Sequence, residues 1–133
     1  RSMAMDRFEQ LVDDMKAHAA RDYPRECCGI VTKDYIYHPV KNVSDTPKDS
    51  FIVDPAGLIE HDENIWGIFH SHPGDEDPIP SKEDKLGATF DEYKYVVGFN
   101  KKFYTYWLDK NLNVLRFDEF KKEMLDGSIK VSQ

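Results

Sequence analysis

Cysteine is nearly absent from this 133-residue chain, and its two copies, Cys27 and Cys28, are sequence neighbours. Adjacent cysteines bridge only with strain and there is no third, so a disulfide framework is excluded; free thiols in a reducing, cytoplasmic setting are expected. No apolar run approaches the ~20 residues of a membrane-spanning helix, and no segment has the layout of a secretory signal, so no membrane partner is expected. Positive charge is in the minority: 18 Lys and Arg stand against 25 Asp and Glu, a net charge of -7. With no basic run either, the chain is a poor match for a phosphate backbone, and nucleic acid is not an expected ligand. There is no internal repeat, low-complexity tract or linker. Residues 1–4, with Arg1-Ser2-Met3 ahead of Ala4-Met5, read as a cloning remnant and residues 126–133 as a flexible tail, both within a single domain spanning 1–133.

What is present is enough for a core. Hydrophobic residues make up 40% of the chain and aromatic residues 13%, which favours a folded globule over a disordered chain. Met5, Phe8, Leu11, Val12, Met15 and Ala19 recur at three- and four-residue steps, predicting an amphipathic helix over 6–20 with His18 beside its apolar stripe. Short apolar or alternating runs predict strands at 27–31, 35–38, 51–53, 65–72, 95–99, 103–108 and 113–117. Asp54 followed by Pro55 marks a helix start, continuing to about residue 62. Further helices are expected over 81–90 and 118–125. His38 and His61 fall among polar residues and read as solvated surface histidines. Strands flanked by helices make an α/β or α+β fold.

The stretch with chemistry is Phe69-His70-Ser71-His72-Pro73, followed by Ser81-Lys82-Glu83-Asp84. On a strand, alternate side chains share a face, so His70 and His72 point one way and Ser71 the other. Pro73 cannot continue a central ladder, which sets the histidines at the strand's mouth. Two imidazoles and the Asp84 carboxylate suit zinc, and three protein ligands leave a fourth position open, as in catalytic rather than structural sites. Each part has a plainer reading. A lone His-x-His is more often a core or surface pair, and Ser81-x-x-Asp84 is also a capping box. Asp75, Glu76 and Asp77 in the intervening loop read as solvated acids bordering a substrate groove.

Together with Glu26 in Pro24-Arg25-Glu26-Cys27-Cys28-Gly29, these residues resemble the JAMM (MPN+) metallopeptidase motif. The loop between Pro73 and Ser81 is one residue longer than the spacing commonest in that family. The resemblance spans about residues 6–117 and implies a mixed, curved sheet flanked by helices, cytidine deaminase-like in form. It implies one zinc per chain held by His70, His72 and Asp84, with Glu26 handling the proton and Ser81 supporting the tetrahedral intermediate. Cys28-Gly29 also matches the family, with Cys28 a small core residue. The activity implied is hydrolysis of an amide bond in a protein or peptide. The run from Tyr23 to Gly29, and Asp54-Pro55 after Phe51-Ile52-Val53, are similar to the phage tail assembly branch. In that branch a like domain often precedes a cell-wall peptidase domain. Other tail proteins would then be partners, and the host cytoplasm the setting. The alternatives are a cellular peptidase acting on the C-termini of ubiquitin-like or sulfur-carrier proteins, and a non-catalytic MPN scaffold.

Overall fold

The structure, a computed structural model, describes residues 3–90, 92–107, 112, 114–116 and 121–122. Helix α1 (Met3–Asp22) opens the chain. Then come β1 (Cys28–Thr32), β2 (Tyr37–Val40), α2 (Pro55–Glu60), β3 (Ile65–Ser71), α3 (Lys82–Gly87), β4 (Lys94–Phe99), β5 (Lys102–Trp107) and β6 (Val114–Arg116). The six strands form one mixed sheet in the order β2-β1-β3-β4-β5-β6. Only the β3–β4 pairing is parallel; the helix-containing crossover between them makes that geometry accessible. Pro39, which has no N–H for a ladder, sits in the edge strand β2.

Strand alternation divides the core between the two sheet faces. On one face the α1 stripe (Phe8, Leu11, Met15, Ala19) packs on Cys27, Val31, Phe69, Val96 and Phe103. On the other, Ile68, Tyr95, Val97 and Tyr106 pack with Ala88, Phe51, Val53 and Leu58. His70 is two residues from Ile68 and shares this second face. Gly67 serves the parallel pairing: a Cβ there would lie 2.6 Å from the Lys94 carbonyl oxygen.

Several expectations change. Residues 51–53 are not a strand of the sheet; only an isolated bridge, Asn42 to Val53, forms. Backbone bonds flank it, from the Val43 amide to the Ile52 carbonyl and from the Asp54 amide to the Lys41 carbonyl, and the Asn42 side chain adds to them, donating to the Glu26 and Ser50 carbonyls and accepting from the amides of Ser44 and Ile52. Helix α3 stops at Gly87, not near residue 90: the Ala88 amide tightens onto the Lys85 carbonyl, the Thr89 amide turns to the Gly87 carbonyl, and the Phe90 amide goes to the Tyr95 hydroxyl at 3.1 Å. His38 and His61 are not freely solvated: they are half-buried and stack with ring centroids 4.2 Å apart. His18 is a buried packing residue, with Nδ1 2.6 Å from the Tyr37 hydroxyl. The expected tail over 126–133 lies outside the described residues, as does most of the helix expected over 118–125.

Candidate metal centre

Register builds the site. Cys28 on β1 pairs with His70 on β3, antiparallel. Beyond the strand end, the Ser71 amide donates to the Cys27 carbonyl at 3.0 Å. Continued by one step, that register sets Glu26 opposite His72, on the face that carries His70. Ser71, pointing the other way, accepts from the Cys27 amide at 2.9 Å and ties the two strand ends together. The His72 amide donates to the Gly98 carbonyl at 3.1 Å, so the motif is fixed from β4 as well.

Asp84 arrives from α3. Ser81 is its N-cap: Ser81 Oγ accepts from the Asp84 amide at 3.0 Å, and Asp84 Oδ2 accepts from the Ser81 amide at 2.9 Å. The capping and ligand readings of Ser81 and Asp84 are therefore compatible, because the cap holds the carboxylate in place. Its oxygens lie 3.1 Å from His70 Nε2 and 2.9 Å from His72 Nε2. The two Nε2 atoms are 3.2 Å apart. Glu26, His70 and His72 each bring one ligand atom within 4.8 Å of the others. All five residues singled out in the sequence thus converge.

The donor set fits zinc. A tetrahedron with bonds of ~2.0–2.1 Å has edges of about 3.3 Å, close to the separations among these nitrogens and oxygens. His70 is fully buried, and its Nδ1 finds no hydrogen-bond partner among the described residues. Phe51 stacks on the His70 ring at 4.2 Å and 14°, holding its plane.

Electrostatics divide the carboxylates. Burial pushes Glu26 up to about 7, against the pull of His72, and the negative charges of Asp84, Asp49 and Asp75 add to the rise. Burial also opposes charge on Asp84, but hydrogen bonds from His70 and His72 outweigh it and hold that carboxyl well below the usual range. Burial keeps His70 below its ordinary value, whereas on His72 the contact with Asp84 overcomes burial and raises it. One carboxylate is thus poised to exchange a proton near neutral pH while the other stays ionised. Burial lifts the Cys27 thiol to about 11 and Cys28 to about 12, so neither is a ready nucleophile.

The sequence suggested a groove bordered by the acidic loop, but not the apolar wall that lines it. A cavity of about 810 Å³ opens from Glu26, His72, Ser81 and Asp84 along a wall that includes Phe51, Ile68, Tyr95 and Tyr106. Its residues come from segments far apart in the chain, and nothing in their spacing announces it. Asn42, which anchors the loop carrying Phe51, was equally silent.

A family model described as prokaryotic homologs of the JAB domain matches residues 8–108. The chain is 31% identical over 109 residues to a desampylase of Haloferax volcanii, covering 72% of this chain and 78% of that protein. It is 39% identical over 84 residues to tail tip assembly protein K of Escherichia phage N15, covering 58% of this chain and 33% of the phage protein. Two solution structures share the fold at 22% identity. One, from Desulfitobacterium hafniense, has a TM-score of 0.61, covering 80% of this chain and 85% of the other. The second, from Salinibacter ruber, has a TM-score of 0.52, covering 81% and 84%.

Proposed function

The chain belongs to the family of prokaryotic homologs of the JAB domain, and from that premise we propose that it is a zinc-dependent metallopeptidase that hydrolyses an amide bond. The observation that carries this reading is the convergence of His70 Nε2, His72 Nε2 and both Asp84 oxygens, with Glu26 alongside. His70, His72 and Asp84 would hold one zinc ion per chain. Zinc, when bound, supplies Lewis acidity, polarising a carbonyl and lowering the pKa of water to about 7.

The protein's own groups do the rest. Glu26 accepts a proton from the attacking water at its carboxylate and passes it to the leaving nitrogen, acting as general base and then general acid. Its raised pKa of about 7 suits both roles at neutral pH. Ser81 Oγ accepts from the Asp84 amide, so its own hydroxyl hydrogen stays available to donate to the oxyanion. Phe51 and the apolar wall shield the site from bulk water.

We assign the activity to phage tail assembly, on the 39% identity to tail tip protein K. The chain matches only a third of that protein's length, so a second domain and other tail proteins would complete the setting. A second reading is a cellular peptidase acting at the C-terminus of a ubiquitin-like or sulfur-carrier protein. It is favoured by the desampylase, which this chain matches over most of both lengths. The deciding experiment pairs elemental analysis with peptide hydrolysis. We expect about one zinc per wild-type chain, lost in His70→Ala/His72→Ala, and a Glu26→Gln protein that keeps zinc but loses on the order of 10²–10⁴ in turnover. Full activity in Glu26→Gln would remove Glu26 from the mechanism. A zinc-free wild type after reconstitution would leave a non-catalytic scaffold.

A further inference from the structure

The groove beside the metal centre has a composition that amide hydrolysis by itself does not require. Its cavity of about 810 Å³ is continuous with Glu26, His72, Ser81 and Asp84. That volume lies within the ~300–1,000 Å³ of pockets that enclose a small ligand or a side chain with its neighbours. The wall is aromatic and braced: Tyr95 stacks on Tyr106 with ring centroids 5.4 Å apart, and the Tyr95 hydroxyl holds the Phe90 amide at 3.1 Å. At the mouth, Phe90 and Ile52 remain 45% and 55% exposed, apolar surface presented to whatever enters.

Acidic groups outnumber basic ones along the rim. Asp49, Asp75 and Glu83 line the groove, and Lys48 is the one lysine or arginine that does so among the described residues. Asp84 is committed to the histidines, Glu26 to the proton and Asp75 in part to His72, whose Nδ1 lies 3.4 Å from Asp75 Oδ2, which leaves Asp49 and Glu83 facing one amine. Such a rim favours a cationic group and disfavours an anionic one.

We propose that this groove selects its substrate by a bulky apolar side chain next to the scissile amide, flanked by lysine or arginine, and not by a run of glycines. This rests on the hydrolase reading for the position of the scissile bond, while binding in the groove does not depend on turnover.

The test uses three labelled peptides: acetyl-Gly-Phe-Lys-Gly-amide, acetyl-Gly-Gly-Lys-Gly-amide and acetyl-Gly-Phe-Glu-Gly-amide. Affinity is read by fluorescence anisotropy on zinc-loaded Glu26→Gln protein, and kcat/KM on zinc-loaded wild type. The Phe-Lys peptide should bind about 10–100-fold more tightly than the Gly-Lys peptide. It should bind about 3–10-fold more tightly than the Phe-Glu peptide, an advantage that shrinks as salt is raised. Ile52→Glu, at an exposed position that leaves the fold intact, should erase most of the Phe preference. Asp49→Asn with Glu83→Gln should erase the Lys preference. Neither should alter zinc content. Equal or tighter binding of the Gly-Lys peptide overturns the proposal. Faster cleavage of that peptide by wild type overturns it while leaving the hydrolase reading standing. A Phe-Lys preference in binding without cleavage of any peptide sinks the hydrolase reading and leaves the groove.

Discussion

At the residue scale, Glu26 is where stability and chemistry conflict. It is 7% exposed, and burial lifts its carboxyl from an ordinary 4.5 to about 7. A carboxyl with a raised folded-state pKa favours the fold while protonated. That advantage is whole below pH 4.5 and is lost as pH rises through about 7. The metal-free Glu26→Gln protein should therefore be more stable than metal-free wild type at pH 8, by on the order of 2–3 kcal/mol. The gap should close below pH 4.5. Urea denaturation across pH 4–9 reads this directly. Identical curves at pH 8 would mean that Glu26 ionises in the fold without penalty. The same burial that costs stability keeps a proton acceptor at a useful pKa, a compromise expected where function and not packing selected the residue.

At the element scale, α3 is a short helix, Lys82–Gly87, whose chief structural asset is its cap. Six residues are too few to hold a helix by propensity alone, so the Ser81–Asp84 box both starts the helix and aims the carboxylate. Removing the hydroxyl should act twice. Ser81→Ala is expected to cost about 1 kcal/mol in denaturant unfolding through the lost cap. If Ser81 is the proposed oxyanion donor, it should also lower kcat by on the order of 10²–10³. Ser81→Thr, which keeps the hydroxyl, should restore most of both. A Ser81→Ala protein of undiminished kcat would confine Ser81 to capping. The loop over 41–54 follows a similar logic, with Asn42 standing in for a strand partner and thereby delivering Phe51 to His70.

At the scale of the whole molecule, the candidate centre joins β1, β3 and α3, segments distant in the chain. A metal held by His70 and His72 at the end of β3 and by Asp84 on α3 should tie two of these segments together and stabilise the native state. Zinc at 100-fold its dissociation constant adds about 2.7 kcal/mol, which for a domain of this size raises Tm by roughly 5–10 °C. Differential scanning fluorimetry with zinc against a chelator should show that rise in wild type and none in His70→Ala/His72→Ala. An equal rise in both would move the binding elsewhere. No helix among the described residues is long and apolar enough to cross a membrane.

Much of this was legible in the chain because it is local. The α1 stripe follows from three- and four-residue steps, and the shared face of His70 and His72 from a two-residue period. The Ser81–Asp84 cap follows from backbone groups three residues apart, and the family itself from a motif with fixed spacing. Where a competing long-range partner existed, local reading failed. Residues 51–53 have strand-like composition, but they form only one bridge, to Asn42, whose side chain takes the Ile52 amide; past the third helix, the Phe90 amide goes to the Tyr95 hydroxyl. Sequence by itself determined which residues could bind a metal and hold a proton, since donor chemistry belongs to the side chain. Only the tertiary structure decided that Glu26 faces His72, because that depends on the β1–β3 register, set by packing of the whole sheet. The groove, too, exists only where separate segments meet, and its apolar wall and acidic rim are properties of that meeting.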